Sequence, residues 1–374
     1  MSTAAAALAR ARRVVVKLGS AQLMDARTGA RTDRFDALAA DLADLRAAGR
    51  DIVLVSSGAV ALGRPRLGFS ATESLSLEQK QACAAAGQAR LIQMWDTALA
   101  PHGLPAAQAL LTPADTEHRP RWLNARATLE TLISRGAVPV INENDTVATQ
   151  ELRFGDNDRL AARTAQLVGA DLLVLLSDVD GLYTDDPKKP GAAHLSDIPE
   201  ITPEIEAMAG PARAGGVGTG GMASKIAAAK IAAGSGCAMI IARGDVDRPL
   251  AAIAAGAPAS LFHPSLSPES ARRAFITGSL AASGRLILDA GAHAAVLTGK
   301  SLLPAGVTAV EGRFRRGEAV VLAGPDGRAF AAGIAGYDDH EARAIAGRRT
   351  AEIEAALGYR RGAALVHAGD VVLD

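Results

Sequence analysis

The chain has 374 residues, enough for two domains of ordinary size. Its 40 basic and 40 acidic residues cancel, which argues against a protein that binds nucleic acid mainly through charge. Hydrophobic residues make up 49% of the chain and aromatic residues only 3%, so the composition favours folded domains with aliphatic cores. Few rings are therefore available to stack on bases.

The sequence shows no clear signal for transport out of the cytoplasm. The two cysteines, Cys83 and Cys237, show neither a disulfide framework nor zinc spacing. The charge-free apolar stretches are too short for a spanning helix, and the arginines near the start follow the apolar residues, unlike those of a signal peptide. We therefore expect a cytoplasmic protein that does not enter a membrane.

The first part of the chain alternates between strand and helix patterns. Short runs of Val, Leu and Ile predict buried strands at 13–18, 52–55, 108–111, 138–141, 172–176 and 239–242. Longer amphipathic runs, several closed by a glycine, predict helices that include 77–99, 122–134, 158–168 and 225–233. This alternation is typical of an α/β fold, a mostly parallel sheet sandwiched by helices.

The pattern changes after about residue 264. We expect a first domain at 1–264, whose alanine-rich residues 1–12 are disordered, and a linker at 265–283. Short apolar runs separated by turns then predict a small, mainly-β domain at 284–374 with one helix near 350–357. Basic and acidic residues are equal in number in this second domain, which argues against tight RNA binding.

Polar and glycine-containing turns follow the predicted strands of the first domain. In parallel α/β sheets, ligands bind at the carboxyl ends of the strands. Lys17 stands at the end of a Val-rich strand, beside Gly19, and a Ser-Ser-Gly turn at 56–58 opens the next helix. Such turns can offer backbone N–H groups to an anion.

Two further polar turns follow, and the first, Asn-Glu-Asn-Asp at 142–145, suits an amino group or hydroxyls. The second, Phe-Gly-Asp-Asn-Asp at 154–158, opens a helix. Asp158 is also well placed as a helix N-cap, but a cap explains one aspartate and not the whole group.

The strongest local signal is the glycine-rich segment 215–225, which leads into a helix and ends on Lys225. Its pattern predicts a backbone that wraps polyphosphate. The sequence lacks the P-loop motif, and no strand precedes the G-x-G-x-x-G pattern at 216–221, so a dinucleotide fingerprint is rejected. Lys17 and Lys225, on separate glycine-containing turns, together indicate phosphoryl transfer.

These segments together resemble the amino acid kinase family. The resemblance rests on V-V-V-K-L-G-S, V-S-S-G-A-V, N-E-N-D, F-G-D-N-D, L-L-S-D-V-D-G-L-Y and G-T-G-G-M-A-S-K, and covers almost all of the chain from about residue 13. The N-E-N-D and F-G-D-N-D pair resembles the members that act on L-glutamate. The segments 301–306 and 312–317 resemble the PUA domain of bacterial forms.

The resemblance implies ATP-dependent phosphorylation of the γ-carboxylate of L-glutamate, the first step of proline biosynthesis. It implies a homo-oligomer, a dimer or tetramer, that is inhibited by proline. Mg²⁺ would be bound mainly by the phosphates of ATP, and no protein residue is implied as a metal ligand.

Roles follow by motif. The resemblance implies a catalytic set of Lys17, Lys225 and Asp158. In that set Lys17 would stabilise the transferring phosphoryl group, Lys225 would stabilise the leaving ADP, and Asp158 would orient both lysines, with Asp156 as a contributor. The residues implied to bind glutamate are Ser57, Gly58, Asp145 and Asn157. Those implied to bind ATP are Lys17, Gly19, Ser177, Asp178, Thr219, Gly220, Gly221, Met222, Ala223, Ser224 and Lys225.

Two alternatives stay open. One is a related kinase with another acceptor, such as acetylglutamate, aspartate or a nucleoside monophosphate. Asp145 favours a free α-amino group, because a carboxylate pairs with an ammonium and not with an acetamide. The other alternative is an RNA-binding PUA protein. The sequence departs from the family at Ala21, where a second hydroxyl is usual, and at 367–370, where a basic residue is lost.

Overall fold

The computed structural model describes residues 1–25, 29–70, 72–148, 157–210, 221–267, 270–271, 283–359 and 361–373. The chain divides into two units. The first comprises Met1–Glu117 and Ala125–Leu266, and the second comprises His118–Asn124 and Ser267–Asp374. Among the helices of these described ranges, none is long and apolar enough to cross a membrane.

An eight-stranded sheet forms the centre of the first unit. Its strands follow the order β10-β12-β11-β7-β1-β4-β6-β5, and every neighbouring pair is parallel except β11 and β12. Two short hairpins, β2-β3 and β8-β9, stand beside it. The strands are β1 Arg13–Leu18, β2 Met24–Asp25, β3 Gly29–Ala30, β4 Asp51–Ser56, β5 Ala106–Leu111, β6 Val138–Glu143, β7 Leu172–Ser177, β8 Leu182–Tyr183, β9 His194–Leu195, β10 Asp197–Ile198, β11 Ala238–Arg243 and β12 Ala259–Phe262.

Helices cover both faces of this sheet, as the sequence predicts. The helices that the structure describes between residues 3 and 254 are α1 Thr3–Arg10, α2 Ser20–Leu23, α3 Thr32–Ala47, α4 Ala59–Gly63, α5 Leu77–Leu99, α6 Pro113–Glu117, α7 Arg119–Ser134, α8 Asn157–Val168, α9 Pro203–Ala207, α10 Met222–Gly234 and α11 Pro249–Ala254. In β1, Val14 and Val16 join the core cluster that contains α3 and α5, while Val15 faces the opposite side, where α8 packs. The β-branched runs form strands because they are buried on both faces.

The parallel direction of the central strands places the candidate functional residues together. The carboxyl ends of β1, β4, β6 and β7 lie at one edge of the sheet, because these strands are parallel neighbours. The turns after these strands therefore share that edge. We expect ligands there.

The expectation that residues 1–12 are disordered is wrong. Residues Thr3–Arg10 form α1, and the Ser2 hydroxyl caps it by accepting a hydrogen bond from Ala5 N at 3.2 Å. Ala4, Ala5 and Leu8 are buried, and α1 packs against α11 and β12. The alanine-rich segment is ordered because its small apolar face lies against neighbouring elements, which its composition alone does not reveal.

A five-stranded sheet organises the second unit, in the order β14-β13-β15-β16-β17. Its pairs are antiparallel except β13 with β15. The strands are β13 Gly284–Leu288, β14 Val307–Gly312, β15 Ala319–Ala323, β16 Ala329–Ile334 and β17 Val371–Leu373, and the helices are α12 Ala290–Leu297, α13 Asp339–Ile345 and α14 Ile353–Leu357. This unit is mainly β, as predicted.

The prediction of one helix in this unit is wrong, because α12 and α13 accompany α14. Asp289 caps α12 by accepting a hydrogen bond from Ala292 N at 2.7 Å. Asp338 and Glu341 form a capping box at the start of α13. Both helices are short, so they show little apolar periodicity, and their caps are the stronger sequence signal.

Candidate active site

A buried carboxylate between two lysines forms the centre of the candidate site. Lys17 Nζ lies 2.5 Å from Asp158 Oδ1, and Lys225 Nζ lies 2.9 Å from Asp158 Oδ2. The Asp158 side chain is 1% exposed, and both lysines are buried. Two positive charges and one negative charge thus share this site, and the net positive charge suits a phosphoryl group.

Three elements bring these charges together. Lys17 is the next-to-last residue of β1, which lies between β7 and β4 in the sheet. Asp158 and Lys225 stand in the first turns of α8 and α10, and these two helices pack against each other. Charged groups from distant parts of the sequence therefore meet at the carboxyl end of a central strand.

Asp158 does not act as the N-cap that its position in the sequence suggests. The helix begins at Asn157, so Asp158 lies inside its first turn. Its carboxylate contacts both lysines. The N-cap interpretation is wrong, because the helix begins before Asp158 and the carboxylate pairs with Lys17 and Lys225.

The two lysines also decide the protonation state of Asp158. Burial raises the pKa of this carboxyl, but the attraction of Lys17 and Lys225 outweighs burial and holds the pKa at about 2, below the ordinary 3.8. Asp158 is therefore ionised at neutral pH, and its two oxygens pair with the two lysines. It is not a proton donor in this range.

The turn at Ser57 and Gly58 lies beside the end of β1. Ser57 N donates a hydrogen bond to Leu18 O at 3.1 Å. Gly58 has φ of 121°, a backbone conformation that other residues rarely adopt, and it is the N-cap residue of α4. The turn thus reverses sharply from β4 into α4 near Gly19, the N-cap residue of α2.

Close packing of α4 against α5 fixes this turn. A Cβ atom on Gly87 would lie 1.9 Å from Ala59 O, and one on Gly63 would lie 1.8 Å from Cys83 O. The two helices therefore approach backbone to backbone, a separation that only glycine permits. Any side chain at either position has to push α4 and the preceding turn away.

Asn157 connects the ends of β4 and β6. Its Nδ2 donates to Ser57 Oγ at 2.6 Å and to Asn142 Oδ1 at 2.9 Å. The structure thereby brings Ser57, Gly58 and Asn157 together beside Asp158. Asp145 lies half-buried in the turn after β6, a few residues beyond Asn142. Asp156 lies outside the described residues.

The residues predicted to bind ATP are only partly described. Ser177 ends β7, and its hydroxyl donates to Asp178 Oδ1 at 3.0 Å. Gly221, Met222, Ala223 and Ser224 precede Lys225 at the start of α10. Thr219 and Gly220 lie outside the described residues, as does most of the glycine-rich segment.

The sequence prediction missed two polar residues at this edge. Gln22 is buried in α2, and its Oε1 lies 2.7 Å from where a Cβ on Gly19 would stand. Trp95 Nε1 donates to Ser56 Oγ at 2.9 Å and so fixes the end of β4. The available signal is weak, because a glutamine in a four-residue helix and a tryptophan on a helix face are both ordinary.

Comparison with known proteins adds to this geometry. Residues 12–243 match the amino acid kinase family, and residues 284–357 match the PUA domain. The glutamate 5-kinase of Caulobacter vibrioides is 57% identical over 366 residues, which cover 97% of each chain. Glutamate 5-kinase 1 of Rhizobium meliloti is 56% identical over 374 residues, covering 100% of this chain and 95% of that protein.

Among solved structures, carbamate kinase from Giardia lamblia bound to AMP-PNP gives a TM-score of 0.49 at 18% identity, covering 68% of this chain and 99% of that one. The family match spans more than half of the chain, and the two glutamate 5-kinases align with nearly all of it. The chain therefore belongs to the amino acid kinase family, on its glutamate 5-kinase branch, and carries a PUA domain.

Proposed function

We propose that this chain transfers the γ-phosphoryl group of ATP to the γ-carboxylate of L-glutamate and forms L-glutamyl 5-phosphate and ADP. One observation carries the proposal. Lys17 and Lys225 converge on Asp158 at the carboxyl end of β1, in a chain closely related to glutamate 5-kinases. Phosphoryl transfer depends mainly on positioning and on positive charge around the moving group, which this arrangement supplies.

The reaction is an in-line displacement. A γ-carboxylate oxygen of glutamate forms a bond to the γ-phosphorus of ATP, while the bond from that phosphorus to the β–γ bridging oxygen breaks and leaves its electrons on ADP. Lys17 stabilises the charge on the transferring group, and Lys225 stabilises the charge on the bridging oxygen. Backbone N–H groups of Gly19 and Gly58 donate to the phosphoryl oxygens. Asp158 positions the two lysines.

No general base is needed, because a carboxylate is ionised at neutral pH and is already a nucleophile. The depressed pKa of Asp158 agrees with this scheme, since Asp158 remains an anion throughout. Ser57 and Asn157 hold the acceptor beside β4. Asp145 pairs with its α-ammonium, which disfavours acetylglutamate, whose nitrogen is uncharged.

ATP lies along Ser177, Asp178 and the segment 219–225 in this proposal. In the described ranges no three His, Cys, Asp or Glu side chains form a metal cage, and both Asp158 oxygens already face lysines. We therefore propose that Mg²⁺ arrives on the phosphates of ATP, whose charge it partly neutralises. The chain's own contribution is the pair of lysines.

The proposal also covers the location, assembly and inhibition of the enzyme. We propose a cytoplasmic homo-oligomer that carries out the first step of proline biosynthesis and is inhibited by proline. Proline shares the α-carboxylate and the α-nitrogen of glutamate, so it can compete for the same end of the acceptor site. For the PUA domain, equal numbers of basic and acidic residues favour a role other than tight RNA binding.

Acceptor-dependent release of ADP tests the proposal. With MgATP, we expect turnover with L-glutamate and little with N-acetylglutamate or L-aspartate. We expect Asp145→Asn to raise the KM for glutamate and leave the KM for ATP unchanged, because the substitution removes the negative charge that pairs with the α-ammonium. Turnover with N-acetylglutamate in place of glutamate would refute the assigned acceptor, although the kinase chemistry would stand.

A further inference from the structure

The nitrogen of a buried side-chain amide on α5, that of Gln88, has no hydrogen-bond partner among the described residues. Gln88 is 9% exposed, and its Nε2 atom is buried with no partner among the described residues. Its Oε1 accepts a bond from Gln108 Nε2 at 3.4 Å, near the long limit for such a bond. A buried donor without a partner is costly, so this position calls for an explanation.

Three contacts made by neighbouring residues of α5 bracket the position of Gln88. Residues 81, 88 and 95 are spaced by about two helical turns and share one face of α5. On that face, Gln81 Nε2 donates to Ala148 O at 2.8 Å, and Trp95 Nε1 donates to Ser56 Oγ at 2.9 Å. One turn beyond Gln88, Leu91 Cδ1 lies 3.8 Å from where a Cβ on Gly58 would stand. Gln88 therefore lies between the turn after β4 and the turn after β6.

The strand order indicates which part of the acceptor lies there. The reacting carboxylate belongs at β1, beside Lys17, and β4, β6 and β5 follow in that order. An acceptor of the length of glutamate, whose two carboxylates are about 5 Å or one strand spacing apart, extends from Lys17 at β1 and has its far end at the end of β4, between the turns after β4 and β6. Gln88 stands at this far end, because its neighbours on the same face of α5 contact Ser56 at the end of β4 and Ala148 after β6.

The far end of glutamate carries an α-ammonium and an α-carboxylate. The turn after β6 offers the carboxylate of Asp145 for the ammonium, but an α-carboxylate needs N–H donors. We propose that Gln88 Nε2 donates a hydrogen bond to the α-carboxylate of the bound acceptor. This inference rests on the proposed function and names the residue that recognises the α-carboxylate.

Gln88→Leu tests the proposal, with Gln93→Leu as the matched control on the exposed part of the same helix. We expect Gln88→Leu to raise the KM for glutamate at least tenfold, the usual effect of losing a hydrogen bond to a charged group, and to change the KM for ATP less than twofold. The variant should melt close to the parent protein, because leucine removes an unpartnered donor and loses only the long 3.4 Å bond from Gln108. Gln93→Leu should change none of these quantities.

A second acceptor separates binding from packing. L-glutamic acid α-amide keeps the shape of glutamate but replaces the α-carboxylate with a neutral amide. We expect Gln88→Leu to lower kcat/KM for glutamate and to leave kcat/KM for the α-amide nearly unchanged. The ratio of the two kcat/KM values should therefore fall by the same factor as kcat/KM for glutamate. An unchanged KM for glutamate, or equal losses for both acceptors and for ATP, would overturn the role of Gln88. A parent protein that phosphorylates no glutamate at all would instead refute the proposed function.

Discussion

Replacing Asp158 with asparagine preserves the shape of the side chain but removes the negative charge between Lys17 and Lys225. Both ammonium groups then remain buried without that charge. Breaking a buried ion pair by removing one partner costs about 3–5 kcal/mol. The pKa gives a similar scale, because a shift from 3.8 to about 2 corresponds to about 2 kcal/mol of stabilisation of the charged form. We expect a loss of about 3 kcal/mol in the free energy of unfolding.

Differential scanning calorimetry measures this loss. At about 2–4 °C per kcal/mol, Asp158→Asn should lower the Tm of the ligand-free protein by roughly 6–12 °C. MgADP should raise the Tm of the variant more than that of the parent protein, because its phosphates supply the missing negative charge. We expect kcat/KM for glutamate to fall roughly 100-fold, as for other preorganised electrostatic groups.

The control for this prediction is Asp33→Asn. Asp33 is an exposed carboxylate whose contacts with Arg31 and Arg34 are both 3.7 Å, and exposed pairs of this kind contribute at most about 1 kcal/mol. A Tm for Asp158→Asn within 2 °C of the control, together with full activity, would refute the electrostatic role of Asp158.

Three further predictions follow from the site geometry. Gly87→Ala should lower both Tm and kcat/KM, because its Cβ would lie 1.9 Å from a backbone oxygen of α4. The control is Gly234→Ala, which has open space around the added Cβ and should change neither quantity. Equal Tm and kcat/KM values for the two variants would contradict the close packing of α4 against α5. Gly19→Ala should raise the KM for ATP with little change in Tm, because its Cβ meets the flexible ends of two side chains, Gln22 Oε1 at 2.7 Å and Lys17 Nζ at 3.6 Å. An unchanged KM would exclude a role for this turn in phosphate binding. Because the pKa of Asp158 is depressed, its ionised form stabilises the fold above pH 4. The difference in free energy of unfolding between the parent protein and Asp158→Asn should therefore shrink as the pH falls from about 4 to about 2. Urea unfolding that shows a constant difference across this range would contradict the depressed pKa of Asp158.

The strands and the helices around them were readily predicted from the sequence. Runs such as Val14–Val16 and Leu172–Leu176 are buried on both faces, so their composition alone identifies them. The order of the strands in the sheet was harder to predict, because pairing between distant strands leaves no local pattern. The helix α1 shows the same limit, since alanine-rich segments are ordered only when a neighbouring surface covers them.

Some residues of the candidate site can be predicted from the sequence, and others cannot. Turn residues such as Gly58 and Asn157 stand out because glycine and short polar side chains mark strand ends. The contact of Asp158 with two lysines could not be derived from local rules, which favour an N-cap at that position. Gln22 and Gln88 were missed because a single glutamine gives no signal until its buried surroundings are known.

The formation of an acyl phosphate tests the central proposal most directly. Hydroxylamine traps acyl phosphates as hydroxamates, so the purified protein is incubated with MgATP, hydroxylamine and L-glutamate, and the hydroxamate is measured. We predict one hydroxamate for each ADP released, loss of the product in Lys17→Ala, and full activity in Lys230→Ala, which changes an exposed lysine paired with Glu206. Release of ADP without hydroxamate, or full activity of Lys17→Ala, would contradict phosphoryl transfer to a carboxylate at this site.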